Sequence, residues 1–177
     1  MRVDRRTSPE PKGSLPGLRD LRGLRGLRGL ARSFAHAFWG IAQNVPAERN
    51  LRIHLTAVCY VTAVGWLAGL TAEQWGLVLL CFGGVIAAEL FNTALERLCD
   101  ALHPQFHPLV GAAKDAAAGA VLVLALASVG VAVALFGPWV AAGGLLSACR
   151  ALPWLPVAFV ASLIPALAFV FLPGRKQ

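Results

Sequence analysis

Charge is scarce in this chain. Only 14% of the 177 residues are charged, and acids are the scarcest, with nine Asp and Glu against sixteen Lys and Arg. A soluble domain carries about 25% charged residues, so that class is excluded. No Gly-x-x-x-x-Gly-Lys segment occurs, which excludes a P-loop as the means of holding phosphates. The four cysteines, Cys59, Cys81, Cys99 and Cys149, show neither pairing nor metal spacing. The first three lie within or at the ends of apolar runs and read as small buried hydrophobes. No apolar run precedes residue 50, so no secretory signal peptide is expected.

What the chain has instead is hydrophobic length. Of its residues 57% are hydrophobic, gathered in long runs. Four runs stand out: Ile53 to Leu70, Trp75 to about Leu95, Ala116 to Phe136 and Trp154 to Leu172. Each approaches the roughly 20 residues that cross a hydrocarbon core of about 30 Å. Pro156 and Pro165 mark the fourth as a kinked span. The short stretch 139–149 reads as an interfacial turn. Upstream, Phe34, Phe38 and Ile41 share one helical face beside Ala37, and Trp39 suits headgroup level, so Ser33 to Gln43 reads as an amphipathic surface helix. The expected fold is all-α and membrane-integral: this surface helix, three core transmembrane helices, and a fourth at the C-terminal end.

The net charge of +7 is concentrated rather than spread. Beyond residue 52 the cations are Arg97, Lys114, Arg150, Arg175 and Lys176, so eleven of the sixteen lie in the first 52 residues. Between Leu18 and Leu30 a leucine recurs every three residues, flanked by Arg and Gly. Three residues turn a helix by about 300°, so that leucine row drifts around the axis, and its glycines weaken the helix further. Residues 1–32 are expected to form a basic, disordered tail at an anionic lipid surface, with no nucleic-acid partner. The 71–74 loop carries no cation, and Arg150 alone occupies the 137–152 loop. Positive-inside bias therefore puts the N terminus, the 97–115 loop and the C terminus in the cytoplasm, with the chain multi-pass in the cytoplasmic membrane.

The second run carries the chemistry. Glu89, Asn92, Thr93 and Glu96 stand at i, i+3, i+4 and i+7, on one helical face, and Asp100 continues the stripe. With Trp75 at the outer interface, Glu89 lies about 21 Å inward and Glu96 about 31 Å. Glu89 thus sits in the hydrocarbon zone near its cytoplasmic edge, where an acid costs on the order of 3 kcal/mol on insertion scales. Glu89 and Glu96 are about 10 Å apart along the axis, too far to hold one ion together, whereas Asn92 and Glu96 are one turn apart. Glu48 precedes the first span and Asp115 opens the third, beside Lys114. Several acids, an amide and a lysine at one membrane face suit a hard cation and phosphate. Taken singly, Glu96 and Asp100 read equally well as interfacial acids paired with Arg97 or Lys114, and Glu89 with Asn92 as a helix-packing polar pair. His103 and His107 are four apart, but Pro104 and Pro108 break any helix there, so they read as loop histidines.

The runs Ala47-Glu-Arg-Asn-Leu-Arg-Ile-His54, Glu89-Leu-Phe-Asn92-Thr-Ala-Leu-Glu96-Arg-Leu-Cys-Asp100 and Lys114-Asp-Ala-Ala-Ala-Gly-Ala-Val121 resemble the prokaryotic diacylglycerol kinase and undecaprenol kinase family in order and spacing. The resemblance covers about Ser33 to Pro138. It implies a kinase domain over 33–138, a homotrimer with active sites shared between subunits, Mg-ATP as donor and a membrane lipid alcohol, undecaprenol or diacylglycerol, as acceptor. Glu48 and Glu96 then resemble the metal-binding glutamates, with Asn92 beside them, and Glu89 the general base. Lys114 resembles the phosphate-contacting lysine and Asp115 its neighbour. Gly40, Arg52, Asp100 and His107 match positions near the nucleotide. His36 departs from the tyrosine frequent at its position. Residues 139–177 exceed the family core and are expected to be dispensable for chemistry, because every matched residue lies before them. The rival class is a small ion-coupled transporter or channel subunit, since intramembrane acids mark ion paths too. Transporter sites tend to lie at the midplane in broken helices, whereas these acids gather at one face.

Overall fold

The computed structural model describes residues 16–172, with side chains from residue 27 onward except residue 28. Among the described residues there are six helices and no strand: α1 (Pro16–Ala47), α2 (Arg49–Ala68), α3 (Ala72–Leu102), α4 (Pro108–Ala141), α5 (Gly144–Ala151) and α6 (Leu155–Phe171). The chain forms two units, one ending at Gly40 and one running from Ile41.

Helix α1 begins at Pro16, inside the segment expected to be a tail. Proline is pre-set for the first helical turn, and the Leu and Arg that fill the repeat are good helix formers, which offset its glycines. Residues 1–15 of the expected tail lie outside the described residues, as do Arg175 and Lys176.

The α2–α3 connection is built for a tight hairpin. Gly69 ends α2 in the left-handed region at φ 67°, a conformation that a side chain disfavours. Thr71 then opens α3 with a capping box: its Oγ1 accepts from Gln74 N, and Gln74 Oε1 accepts from Thr71 N at 2.9 Å. Gly65 lies under the Trp75 indole, where a Cβ would come within 2.8 Å of the ring. Trp66 and Trp75 meet with ring centroids 5.8 Å apart, the aromatic signature of a headgroup boundary.

Helices α2, α3 and α4 are each long and apolar enough to cross a membrane. At 1.5 Å per residue, α3 runs about 46 Å and α4 about 51 Å, well beyond a hydrocarbon core of about 30 Å. Each helix is therefore longer than the slab, and the charged residues Asp100 and Lys114 lie near their facing ends. Helix α4 packs chiefly on α3, and α2 packs on α3 and α6. Large apolar side chains are widely exposed, among them Leu80 at 74%, Phe91 at 78% and Leu126 at 61%. In water such a surface would aggregate; against lipid tails or neighbouring subunits it is the expected exterior.

The C-terminal part differs in detail from a single kinked span. The stretch read as a turn forms the short helix α5, and α5 meets α6 at a bend of 99°. Helix α6 has 17 residues, about 25 Å, and contributes to a fourth crossing only together with α5. It is docked on α2: Tyr60 Oη and Ser162 Oγ share a hydrogen bond of 2.9 Å, and Tyr60 packs edge-on against Phe159.

Candidate active site

The buried polar side chains among the described residues are Arg52, Glu89 and Thr93, all from the runs singled out by sequence. Helix α3 presents Glu89, Asn92, Thr93 and Glu96 along one face, as the 3.6-residue period requires. Glu89 is 3% exposed. It lines a pocket of about 310 Å³ with Asn50, His54, Asn92, Val121 and Leu122, so all three core helices contribute.

His54 Nε2 stands 3.1 Å from Glu89 Oε1. The contact is close but not aligned as a hydrogen bond, and this buried oxygen has no hydrogen-bond partner among the described residues. Seven residues on, Glu96 Oε1 accepts from Asn92 Nδ2 at 2.9 Å. The other end of that amide, Asn92 Oδ1, is buried with no hydrogen-bond partner.

Glu48 sits at the N-cap of α2 but makes no capping bond. Its carboxylate has only a 3.8 Å ion pair with the half-exposed Arg97, a separation and setting worth little in water. Glu48 and Glu96 both lie close enough for their charge to act on Glu89. Carboxylate oxygens and an amide oxygen are the donor types a hard divalent cation takes, and Asn92 Oδ1 is buried without a hydrogen-bond partner among the described residues, beside Glu96. Mg²⁺ needs only one or two protein carboxylates when phosphate and water complete its shell. No cluster of three or more His, Cys, Asp or Glu in ligand range occurs among the described residues.

A second, exposed pocket of about 160 Å³ lies at the α3–α4 loop, lined by Asp100, His103, Phe106, His107, Gly111 and Lys114. Lys114 Nζ donates to Asp100 Oδ1. That bond holds the Lys114 ammonium above its ordinary pKa, so Lys114 is a fixed cation at this loop. His107 caps α4, its Nδ1 accepting from Leu109 N at 3.3 Å. Three residues matched to the nucleotide region, Asp100, His107 and Lys114, thus come together away from the Glu89 pocket.

Within the second unit, the matched residues Asp115 and Arg52 line neither pocket. Asp115 is exposed on α4. Gly40 closes the first unit. Arg52 is turned to the C-terminal helix: Nη1 donates to Pro46 O at 2.7 Å and Nη2 to Val170 O at 3.0 Å. Sequence reasoning passed over Asn50 and His54 as site residues. Their i, i+4 spacing in the motif run was the available signal.

The fold and site of this chain are thus a bundle of helices long and apolar enough to cross a membrane, with a buried carboxylate in a pocket between them. Residues 35–136 match the family described as prokaryotic diacylglycerol kinase, and the chain belongs to that family; it is by family a lipid kinase. Among its relatives, undecaprenol kinase of Bacillus subtilis is 42% identical over 107 residues, covering 60% of this chain and 87% of the relative. Diacylglycerol kinase of Synechocystis is 41% identical over 102 residues, covering 56% of this chain and 58% of the relative. Diacylglycerol kinase of Helicobacter pylori is 43% identical over 51 residues, 28% of this chain and 39% of the relative. No solved structure matches.

Proposed function

We propose that the chain transfers the γ-phosphate of Mg-ATP to the hydroxyl of a membrane lipid alcohol, undecaprenol or diacylglycerol, at the cytoplasmic face of the membrane. The observation that carries this reading is the buried Glu89 carboxylate, 3% exposed, in a pocket that Asn50, His54 and Asn92 also line. Glu89 accepts the hydroxyl proton as the lipid oxygen attacks the γ-phosphorus, and the bond between that phosphorus and the β–γ bridging oxygen of ADP breaks. Glu48, Glu96 and the Asn92 amide oxygen hold Mg²⁺, which supplies charge neutralisation at the phosphates when bound. Lys114 meets phosphate oxygens at the aqueous edge, exchanging its bond to Asp100 for them, with Asp115, His107 and Gly40 near the nucleotide, while Arg52 holds backbone carbonyls instead. Residues 33–138 form the kinase domain, 1–32 a basic tail and 139–177 an extension, and three copies share their sites between subunits.

The test is a lipid panel with labelled ATP on purified protein in bilayers. Mg-dependent labelling of a long-chain lipid alcohol is expected, with undecaprenol preferred to diacylglycerol, a lean that rests on the 87% coverage of the undecaprenol kinase relative. No labelled lipid from any long-chain alcohol overturns the reading.

Orientation has its own test. A cysteine at Ser8, in the 97–115 loop or near the C terminus is expected to resist an impermeant thiol reagent in intact cells and to react after lysis. Labelling of Ser8→Cys from outside intact cells reverses the topology.

A further inference from the structure

We infer that His54 is the positioning residue for the Glu89 carboxylate, which sets the rate of proton acceptance from the lipid hydroxyl. This rests on the reading of Glu89 as general base.

Glu89 needs a partner on physical grounds. Its side chain is 4% exposed inside a span, where neither water nor lipid tails can satisfy it. The charged and titratable groups acting on it are His54, Glu48 and Glu96. Two of these are acids and repel a carboxylate. The imidazole is the one that can attract and orient it, and its Nε2 is already 3.1 Å from Oε1. A hydrogen bond from Nε2 to Oε1 would fix the carboxylate's orientation and leave its other oxygen for the incoming hydroxyl.

His54 also occupies a singular place. It lines the polar pocket with Glu89 and Asn92, and it lines an apolar cavity of about 190 Å³ that continues between the helices past Val58, Phe82, Val85 and Ala132. The only other residue shared by the two linings is Ala125, which carries no polar group. A hydroxyl on an apolar chain lying in that cavity reaches Glu89 past His54. One turn before it on the same face of α2, Asn50 lines the polar pocket too, so both side chains are fixed by the same helical register.

The experiment compares His54→Leu and His54→Gln with the full-length protein in bilayers, measuring kcat and KM for ATP and for the lipid acceptor, alone and combined with Glu89→Gln. Leucine keeps apolar volume and removes the donor. Glutamine places an amide donor near the Nε2 position. His54→Leu is expected to lower kcat by about 10²-fold, the cost of a misplacement near 1 Å, with KM for ATP unchanged. His54→Gln is expected to restore most of that loss. In the Glu89→Gln background, His54→Leu is expected to add little, because the group it positions is gone. Full kcat in His54→Leu, no recovery by glutamine, or losses that multiply in the double variant overturn the inference while Glu89 remains the base. Unimpaired turnover in Glu89→Gln alone instead removes the general-base reading beneath it.

Discussion

Glu89→Gln should lose turnover by about 10² to 10⁴-fold, the range for a positioned general base, with little change in nucleotide affinity. Glutamine keeps the volume of a side chain that is 3% exposed, so the packing of α3 against its neighbours is preserved. What disappears is the ability to take a proton from the lipid hydroxyl. Glu96→Gln should behave differently. Its amide oxygen can still accept from Asn92 Nδ2, as Glu96 Oε1 does at 2.9 Å, so the local geometry holds. The lost charge weakens the grip on a divalent cation that Glu48, Glu96 and the free Asn92 oxygen would hold together. Raising Mg²⁺ should then restore much of the Glu96→Gln rate and none of the Glu89→Gln rate. The comparison is made on variants that remain folded and keep the oligomeric state of the parent protein, by initial rates across an Mg²⁺ titration. Rescue of Glu89→Gln but not Glu96→Gln would mean the two roles are exchanged.

The separation of those two positions was already legible in the sequence, because helix rise converts residue number into distance along the axis and the 3.6-residue period puts 89, 92, 93 and 96 on one face. The three long spans were legible for the same reason: apolar length is a local property. What depended on tertiary structure was not. His54 belongs to α2 and Glu89 to α3, and no spacing rule pairs them across the bundle. The sequence offered Asp100 either Arg97 or Lys114 as its partner and could not choose between them. Only the short α3–α4 loop, with its capping His107, brings Asp100 and Lys114 into one ion pair. The bend between α5 and α6 was hidden because Gly and Pro mark a break without fixing its angle. Arg52 is the sharpest case. Its motif position points to the nucleotide, whereas its two amino groups are committed to backbone carbonyls, one of them 118 residues away in α6.

That commitment makes the C-terminal extension a matter of stability. The last four carbonyls of a helix lack intrahelical partners. Val170 lies in the final turn of α6, and its carbonyl receives Arg52 Nη2 at 3.0 Å. A cation there also meets the negative end of the helix dipole. Arg52 therefore caps α6, while Tyr60 and Ser162 tie the two helices further along. Cutting the chain after Pro138 removes the cap's acceptor and leaves Arg52, 7% exposed, short of a partner at the end of α2 that carries Glu48. Hydrogen bonds to charged groups contribute about 1.5–3 kcal/mol, so the truncated protein should unfold several degrees lower in bilayers or mild detergent. Chemistry should survive, because Glu48, Glu89, Asn92, Glu96 and Lys114 all remain. Below its melting point the truncated protein should transfer phosphate at a rate close to the full chain. The link to Arg52 is checked by a cycle: Arg52→Met should lower the melting temperature of the full chain and have much less effect after truncation. Equal destabilisation by Arg52→Met in both backgrounds would sever Arg52 from α6. A truncated protein that is folded and keeps the oligomeric state of the full chain but is inactive would show instead that the extension completes the site.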